Sequence, residues 1–370
     1  MTQLLSNICD YINEKIAVND LSDENYISTE NMLPNKSGIV KASTLPNLQL
    51  TPAYQENDVL ISNIRPYFRK IWQAEYCGGC SNDVLVLRAK KSVNPKFLYY
   101  VLSEDKFFDY ATATSKGTKM PRGDKTAIMK YEVPEFSETE QEKIANILFP
   151  IDEKIAINSA TNNNLEQQAM ALFKSWFIDF EPFDGTMPND WEIKTLDEFC
   201  NIFTGRKNAN ENDENGKNKF FTCGPKPLLI NSYIHDGPAI IIAGNGAYTG
   251  RTRFYDGKFD LYQRTYACIS LENINKDYIY LLYIIIKNVL QKNIMGGTHG
   301  SAVPYIVIND IAKFEITFKK DIFDNLSSII KPFINKILEN EIENEKLIQL
   351  RDTLLPKLMS GEIDVDKVEV

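Results

Sequence analysis

Two long heptad patterns, one in the middle of the chain and one near its end, constrain the fold more than any other feature. The first places apolar residues in two adjacent columns interrupted by asparagine: Ile144, Ile151, Asn158, Leu165 and Leu172, beside Leu148, Ile155, Asn162, Ala169 and Trp176. The second has Leu326, Phe333, Asn340, Leu347 and Leu354, beside Ile330, Ile337, Asn344, Arg351 and Leu358. A heptad pattern this long is typical of a coiled coil. The sequence therefore predicts two long helices that can pair with each other.

The two patterns belong to a duplication of the chain. Equivalent helix positions are separated by 182 residues (326 − 144 = 182), and Pro150 and Pro332 obey the same offset. Upstream matches have offsets of 181 to 183: Val59–Ile61 with Ile240–Ile242, Tyr67 with Tyr248, Phe97–Tyr100 with Tyr280–Tyr283, Pro121 with Pro304, and Ile128–Val133 with Ile311–Ile316. Solenoid repeats have periods of only ~20–50 residues. This repeat is therefore read as a duplicated domain.

Local signals predict an α+β fold twice over, each mixed α/β domain being followed by a helix. Strand-like runs and a short helix near Pro95 lie in the first domain. Ser137 with Glu140 is a capping-box pattern at the start of the first long helix, and Gly361 is a favoured residue just beyond the end of the second. We divide the chain into a first domain (1–137), a helix (138–183), a second domain (184–320) and a final helix (321–370).

The composition indicates a globular protein that works inside the cell. The chain has 370 residues, 43% of them hydrophobic. It has no run of ~20 apolar residues and begins with no charged and apolar leader, so we expect a cytoplasmic protein without a membrane span. Cys77 and Cys80 are the only closely spaced cysteines. Because a zinc ribbon would need a second such pair, reduced thiols around a glycine turn are preferred.

Enzyme signatures are sought and not found. No glycine-rich phosphate loop with Lys and Ser/Thr is present. The run Gly244–Gly250 resembles a dinucleotide fingerprint only superficially, since its third glycine is one place late, and we interpret it as a tight loop. His235 and His299 are the only histidines and have no triad-like surroundings. The chain is therefore interpreted as a binding protein.

Clusters of basic residues indicate nucleic acid as the ligand, although the net charge of −9 excludes a broad electrostatic grip on it. Basic side chains position a protein on phosphates, while Arg, Asn, Thr and His can read base edges. A solvated loop is the alternative for each residue taken singly, but the clusters recur at equivalent places in both copies. The candidate DNA contacts are Arg65, Tyr67, Arg69, Lys70, Lys116, Thr118, Lys119 and Arg122 in the first copy, and Arg206, Asn245, Tyr248, Arg251, Arg253, Thr298 and His299 in the second.

Two groups of residues resemble a known family, the specificity subunit of type I restriction-modification systems. Glu140–Ala145, Leu165–Gln167 and Leu172–Phe183 look like the central conserved region of that family, and Leu350–Ile363 looks like the distal one. The resemblance covers essentially the whole chain. Because the recognition loops vary within the family, it assigns no contact residues.

The resemblance implies a fold and a set of partners. The fold would comprise two target recognition domains, 1–137 and 184–320, separated by two long antiparallel coiled-coil helices, the central one at 138–183 and the distal one at 321–370. Each domain would read half of a split double-stranded DNA sequence. The helices would dock methylase subunits, and restriction subunits would join them. No cofactor belongs to this chain; S-adenosylmethionine, ATP and Mg²⁺ are expected in the partner subunits.

Two features of the helices lead to further expectations. The four asparagines in the apolar columns are expected to pair and fix the helix register, the alternative being that they face water. The aromatic side chains at the end of the first helix are expected to bind a partner subunit, the alternative being packing on the chain's own second domain, above all for Trp176. These candidates are Trp176, Phe177, Phe180 and Phe183.

The first helix also predicts the form of the DNA target. The 33 residues from Ile144 to Trp176 span about 50 Å in one continuous helix, or about 40 Å if Pro150 breaks it. One turn of DNA is about 34–36 Å, so the target should be two short sequences flanking unread bases. Two other functions remain open: an enzyme that modifies or cuts DNA alone, and a coiled-coil adaptor.

Overall fold

A computed structural model describes residues 2–290 and 305–368, which form two compact units. Unit 1 combines Met1–Ala156 with Glu345–Val370, and unit 2 is Ile157–Asn344. The two long helices are α5 (Glu138–Phe177) and α8 (Lys320–Met359), so each unit contains one end of both. No helix within the described ranges is long and apolar enough to cross a membrane.

Unit 1 contains three small sheets and four short helices besides the ends of α5 and α8. The strands are β1 (Thr2–Leu4), β2 (Cys9–Tyr11), β3 (Lys15–Ala17), β4 (Tyr26–Ile27), β5 (Leu50–Tyr54), β6 (Val59–Ser62), β7 (Ile71–Gln73), β8 (Gly78–Cys80), β9 (Val84–Ala89) and β10 (Glu132–Pro134). The helices are α1 (Leu5–Ile8), α2 (Pro95–Ser103), α3 (Asp105–Ala113) and α4 (Lys125–Ile128). The sheet orders are β1-β10, β2-β9-β6-β7 and β3-β5-β8-β4.

Unit 2 contains a two-stranded and a six-stranded sheet. Its strands are β11 (Glu192–Thr195), β12 (Cys200–Thr204), β13 (Asn218–Phe221), β14 (Leu228–Ile230), β15 (His235–Ala243), β16 (Thr252–Leu261), β17 (Thr265–Ser270) and β18 (Glu315–Phe318). The shorter helices are α6 (Tyr278–Ile285), which continues as a π-helical turn, and α7 (Ile308–Ala312). The sheet orders are β11-β18 and β12-β17-β15-β16-β13-β14.

The strand orders confirm the duplication and the α+β class. The order β2-β9-β6-β7 recurs as β12-β17-β15-β16, and the small sheet β1-β10 recurs as β11-β18. Each central strand, β6 or β15, is followed by a 3₁₀ turn, Pro66–Phe68 in the first copy and Gly246–Tyr248 in the second. In the first copy, the sheet β3-β5-β8-β4 is separate from the sheet β2-β9-β6-β7. In the second copy, β13 and β14 instead extend the equivalent sheet to six strands.

Helix α5 begins where the capping box predicts. The Ser137 backbone N–H donates to Glu140 Oε2 at 2.7 Å, and the Glu140 N–H donates to Ser137 Oγ at 3.3 Å, so two unpaired helix-end donors are satisfied. The helix continues through Pro150 to Phe177, so the predicted alternative of a break at the proline is wrong. A proline removes one helical hydrogen bond. Apolar residues of α5 on both sides of it, Leu148 and Ala169, are fully buried and anchor the helix in both units.

Both cores depend on the helix pair. In unit 1, Ile144 and Leu148 of α5 join Leu355 and Leu358 of α8 around Phe97 of α2. The core of unit 2 is equivalent and gathers Ala169, Phe173 and Phe177 of α5 with Leu326, Ile330 and Ile334 of α8. Burying one such side chain fully stabilises the fold by about 1.5–3 kcal/mol. Neither core is complete without one end of each helix.

The seam asparagines pair with one another inside unit 2. Asn158 Nδ2 donates to Asn344 Oδ1 at 2.9 Å, and Asn340 Nδ2 donates to Asn162 Oδ1 at 2.7 Å. Asn158 and Asn340 are almost completely buried. The residue numbers of the bonded asparagines increase along α5 while they decrease along α8, so the two helices run antiparallel. The expectation of paired asparagines is confirmed, and the alternative that they face water is wrong.

One expectation about the cysteines is wrong. Gly78 and Gly79 form strand β8 with Cys80, not a turn, because neighbouring segments approach their backbone closely. A Cβ atom on Gly78 would lie 2.2 Å from the Asn25 carbonyl oxygen. All six cysteines are free. Burial raises the pKa of the Cys80 thiol to about 12, which keeps it protonated and unreactive.

The asparagine pairs make a stability prediction. Replacing Asn340 alone by Leu leaves the side-chain oxygen of Asn162 without its donor, so the free energy of unfolding should fall by about 1–3 kcal/mol. Replacing Asn162 as well removes the stranded amide, and the double variant should recover part of that loss. Urea unfolding of both variants measures the difference, with Asn163→Leu on the exposed face of α5 as control. Equal losses in the single and double variants would contradict the pairing.

Candidate nucleic-acid interface

Two basic segments that are distant in sequence meet in unit 1. The Arg65 backbone N–H donates to the Pro121 carbonyl at 2.8 Å, and the Gly123 N–H donates to the Asn63 carbonyl at 3.0 Å. Between these bonds, Ile64 pairs with Arg122 in an antiparallel bridge. We call this contact between the end of β6 and the loop before α4 the junction of the first copy. It places Arg65 and Arg122 on adjacent backbone.

The same junction exists in the second copy. The Ile306 N–H donates to the Gly244 carbonyl at 2.9 Å, which is the equivalent of the bond from Gly123 to Asn63. Asn245 pairs with Tyr305 as Ile64 pairs with Arg122. The run Gly244–Gly250 forms a turn here, as predicted, with Gly246 and Gly250 at positive φ. Thr298 and His299, two predicted contacts, lie outside the described residues.

A cleft of about 690 Å³ opens beside the first junction. One wall is the junction itself with the nearby β8–β9 turn; the other is a polar loop between β4 and β5. The lining residues are Ile64, Arg65, Ser81, Asp83, Met120 and Arg122 on the first side, and Tyr26, Ser28, Thr29, Glu30, Asn31, Val40, Lys41, Ser43, Thr44, Leu45 and Pro46 on the other. The cleft thus combines hydrogen-bonding groups with two arginines and a few apolar side chains.

The polar loop at 28–46 is held in place before any ligand arrives. The buried Asn31 side chain accepts from the Ser28 backbone N–H and donates to the carbonyls of Tyr26, at 3.0 Å, and Val40, at 2.9 Å. Clusters of basic residues do not indicate this wall, because the loop at 28–46 has few of them. A long stretch rich in Ser, Thr, Asn and Pro between two strands was the available signal.

Arg65 occupies a strained position in the cleft. Its φ is 49°, in the left-handed region that non-glycine residues rarely adopt. Its Nε is buried and has no hydrogen-bond partner among the described residues. A left-handed arginine with an unsatisfied buried donor is costly and persists only where the surroundings impose it, as they do at many binding sites.

Two of the predicted DNA contacts bind the protein itself. Arg69 Nη1 lies 2.7 Å from Asp105 Oδ2 of α3, and Lys70 Nζ donates to the Thr29 carbonyl at 2.6 Å. Burial lowers the pKa of the Lys70 amine. These side chains fasten the turn Pro66–Phe68 to α3 and to the polar loop. The turn thereby holds Tyr67 exposed.

The basic residues Lys116, Lys119 and Arg122, which are also predicted DNA contacts of the first copy, face solvent. Lys116 Nζ lies 2.5 Å from Asp124 Oδ2 and Arg122 Nη2 lies 3.0 Å from Asp83 Oδ1, but the lysine and arginine side chains are 80% and 56% exposed. Exposed ion pairs contribute only about 0–1 kcal/mol. A phosphate can therefore replace the carboxylates at little cost. Thr118 and Lys119 are exposed on the same loop.

The second copy arranges its arginines differently. The Arg251 guanidinium lies 3.8 Å from the centre of the exposed Tyr248 ring, a cation–π geometry. Arg253 donates to the carbonyls of Gly224, at 3.4 Å, and Pro225. Burial lowers the pKa of Arg253. Arg206 is exposed on the loop after β12, and Asn245 is half-buried at the junction.

The aromatic cluster predicted to bind a partner packs within unit 2. Phe177 is only 6% exposed, and its ring meets those of Trp191 and Phe323. The rings of Phe180 and Phe183 also contact Trp191, and Trp176 contacts Phe183. The chain's own second copy thus covers much of the cluster. The partner role of the half-buried members stays a prediction.

This fold defines a class: a duplicated α+β protein in which two mixed domains alternate with two long helices. The chain belongs to the family described as the type I restriction modification DNA specificity domain, which it matches over residues 5–167 and 188–349. Family membership confirms the resemblance inferred from the conserved helical segments.

Individual relatives agree. The chain is 29% identical to the type I restriction enzyme MjaIX specificity subunit of Methanocaldococcus jannaschii, over 75% of this chain and 71% of that protein. It is 23% identical to the HindI specificity subunit of Haemophilus influenzae, covering 97% and 98% of the two chains. The crystal structure of a type I S subunit from M. genitalium superposes with a TM-score of 0.65 at 20% identity, covering 97% of this chain and 96% of that one. This last likeness shows the fold.

The burial of Phe177 makes a stability prediction. Phe177→Ala removes a core ring, so it should lower the free energy of unfolding of the isolated chain by about 3–5 kcal/mol. Ile178→Ala is the matched control on the same helix, since Ile178 is 52% exposed. The control should change stability by less than about 0.5 kcal/mol. Thermal unfolding without any partner measures both, and an unchanged midpoint for Phe177→Ala would mean that the ring does not stabilise this chain.

Proposed function

We propose that this chain is the sequence-specific DNA-binding subunit of a type I restriction-modification complex, and that each copy reads one part of a bipartite double-stranded target. The observation that supports this most is the recurrence of one junction, with basic side chains around it, in both copies of a chain that belongs to the DNA specificity family. The first target recognition domain would comprise residues 1–137 and the second 184–320. The conserved regions at 138–183 and 321–370 are longer than the helices themselves, since α5 ends at Phe177 and α8 ends at Met359.

The first cleft has the chemistry for base reading. A guanidinium can bind the O6 and N7 atoms of guanine together, and hydroxyl or amide groups can bind other base edges. Arg65 and Arg122 would read bases from one wall of the cleft, while the polar loop at 28–46 would do so from the other. Lys116 and Lys119 would hold phosphates outside it, and such contacts set register without reading sequence.

The second copy would use a different set of side chains. Arg251, stacked on Tyr248, presents a guanidinium beside an exposed ring. Arg206 and Asn245 would add contacts from the neighbouring loops. Arg253 is held by two backbone carbonyls and would mainly position the loop at 224–225. Because the two surfaces differ, we expect two different half-sites.

Catalysis would belong to partners. Several relatives are named as specificity subunits of type I restriction enzymes. We propose that this chain likewise assembles with methylase subunits and with restriction subunits, which would bring S-adenosylmethionine, ATP and Mg²⁺. The alternative of a stand-alone DNA-modifying enzyme is tested directly. The purified chain, incubated with DNA and S-adenosylmethionine, should transfer no methyl group.

The cleft makes a specificity prediction. Arg65→Ala with Arg122→Ala should lower methylation or relax the sequence at one half of the motif only, with a loss of about 1–3 kcal/mol per base contact. Arg251→Ala should affect only the other half. Methylome sequencing of cells that carry each variant with its methylase subunit measures both halves at once.

A matched control separates this effect from general damage. Lys91→Ala removes an exposed basic residue of the first domain that does not line the cleft, and it should leave the motif unchanged. If the Arg65 and Arg122 variant blurred both half-sites equally, the assignment of one half-site to each copy would be wrong.

The helices would set the gap between the half-sites. Seven residues inserted after Ala156 and seven more after Asn344 would preserve the heptad pattern and leave the residues of both units intact. Each insertion adds about 10 Å of helix. We expect the same two half-sites with a gap about three base pairs longer. Methylome sequencing that showed altered half-sites with the original gap would contradict the spacer role.

A further inference from the structure

Two ion pairs of the long helices lie beside equivalent tyrosines, one pair in each unit. In unit 1, Arg351 Nη1 of α8 lies 2.8 Å from Asp152 Oδ1 of α5, and the Tyr100 hydroxyl donates to Asp152 Oδ2 at 2.9 Å. In unit 2, Lys287 Nζ lies 2.8 Å from Glu166 Oε1 of α5 and donates to the Tyr283 hydroxyl at 3.3 Å. Tyr100 and Tyr283 are equivalent under the duplication.

The charged residues of the two ion pairs, unlike the tyrosines, are not conserved between the two copies. At the helix offset of 182, Asp152 corresponds to Ile334 and Arg351 to Ala169. Glu166 corresponds to Ile348, and at the domain offset of 183, Lys287 corresponds to Glu104. Both acids of the ion pairs therefore lie in the first half of the chain and both bases in the second half. We define the first half as residues 1–186 and the second half as residues 187–370.

Pairing of two identical halves would destroy both ion pairs. Two first halves would set Asp152 opposite Ala169 and Glu104 opposite Glu166, so Asp152 and Glu166 would both lose the bases that they pair with in the whole chain. Two second halves would set Arg351 opposite Ile334 and Lys287 opposite Ile348. Lys287 would then lose Glu166, and Arg351 would lose Asp152 although it keeps its neighbour Asp352.

The charges of the unit 1 pair are largely shielded from water, and those of the unit 2 pair are partly shielded. The Arg351 and Asp152 side chains are 12% and 23% exposed, and those of Lys287 and Glu166 are 31% and 39% exposed. A charge buried without its partner is strongly destabilising, and repulsion of this kind is a common source of specificity.

The asparagines cannot make this distinction. Asn158 corresponds to Asn340 and Asn162 to Asn344, so the bonded pairs Asn158–Asn344 and Asn162–Asn340 are the same pair seen twice. Both would form equally well between identical halves. The asparagines can therefore fix helix register, while the choice of partner must come from other side chains.

We propose that the ion pairs Asp152–Arg351 and Glu166–Lys287 make each half of this chain accept only the opposite half as its helix partner, and reject an identical half from a second copy. Heterotypic pairing forms both ion pairs, whereas homotypic pairing forms neither. The consequence for recognition, which rests on the proposed function, is that every pair of halves contains both target recognition domains and never two copies of the same one.

The test cuts the full chain without removing any of it. A protease site inserted between Thr186 and Met187, in an exposed segment, is cleaved after purification. The cut protein is incubated in sub-denaturing urea, returned to buffer and weighed by native mass spectrometry. First–second, first–first and second–second pairs differ in mass. The wild type should return almost entirely as first–second pairs.

A neutral variant removes the selection. Asp152→Asn, Glu166→Gln, Lys287→Gln and Arg351→Gln together should raise homotypic pairs by at least about tenfold, toward the random limit of about one half. The matched control removes two ion pairs that lie within single halves, Glu24–Lys41 and Asp277–Lys331, by changing each to its amide or Gln. The control should stay heterotypic.

A charge-exchanged variant keeps the proposal testable if the neutral chain does not fold. Asp152→Arg with Arg351→Asp and Glu166→Lys with Lys287→Glu should again give first–second pairs. After mixing with cut wild type, wild-type first halves should not pair with exchanged second halves. Exclusively heterotypic pairing of the neutral variant, homotypic pairs in the wild type, or random mixing with the exchanged chain would each overturn the proposal.

Discussion

The antiparallel pairing of α5 with α8 is the interaction on which the rest of the structure depends. Each compact unit completes its core with one end of both helices, so neither mixed domain buries its apolar surface from its own residues alone. The paired asparagines lie within this seam. A polar pair costs stability relative to leucine but penalises every register in which its amides are unpaired. The helices can therefore be long without being free to slide.

In the proposed recognition surface, chemically similar residues have different roles. In the first copy, Arg69 and Lys70 bind Asp105 and the Thr29 carbonyl and so hold a turn, while Arg65 and Arg122 line the open cleft. In the second copy, Arg253 is bound by carbonyls and Arg251 is stacked on an exposed ring. Preorganised loops lose little entropy on binding, which favours specific contacts. Each copy thus uses some basic side chains to hold its loops in place and leaves others at an open surface.

Duplication leaves a problem that a single domain does not have, since any half of the molecule resembles the other half. Contacts that obey the duplication, such as the asparagine pairs, cannot tell the halves apart. Contacts that break the duplication can tell the halves apart. Both ion pairs, Asp152–Arg351 and Glu166–Lys287, break it, because the acids lie in the first half and the bases in the second. The asparagine pairs, which obey the duplication, and the ion pairs, which break it, therefore have different roles in the same helix pair.

The sequence by itself determined the duplication, both helices, their caps and the asparagine register, because periodicity and chain offsets are local or strictly repeated patterns. It also determined the family, through the helical segments that match it. The tertiary structure decided the rest. Only folding brings Pro121 to Arg65, converts Gly78 and Gly79 into a strand, and shows Phe177 inside the core. An arginine that anchors a loop and an arginine that faces a cleft are the same residue type in the sequence. They differ only in which carboxylate or carbonyl the fold places beside them. That placement depends on contacts between residues far apart in the chain, which no local pattern records.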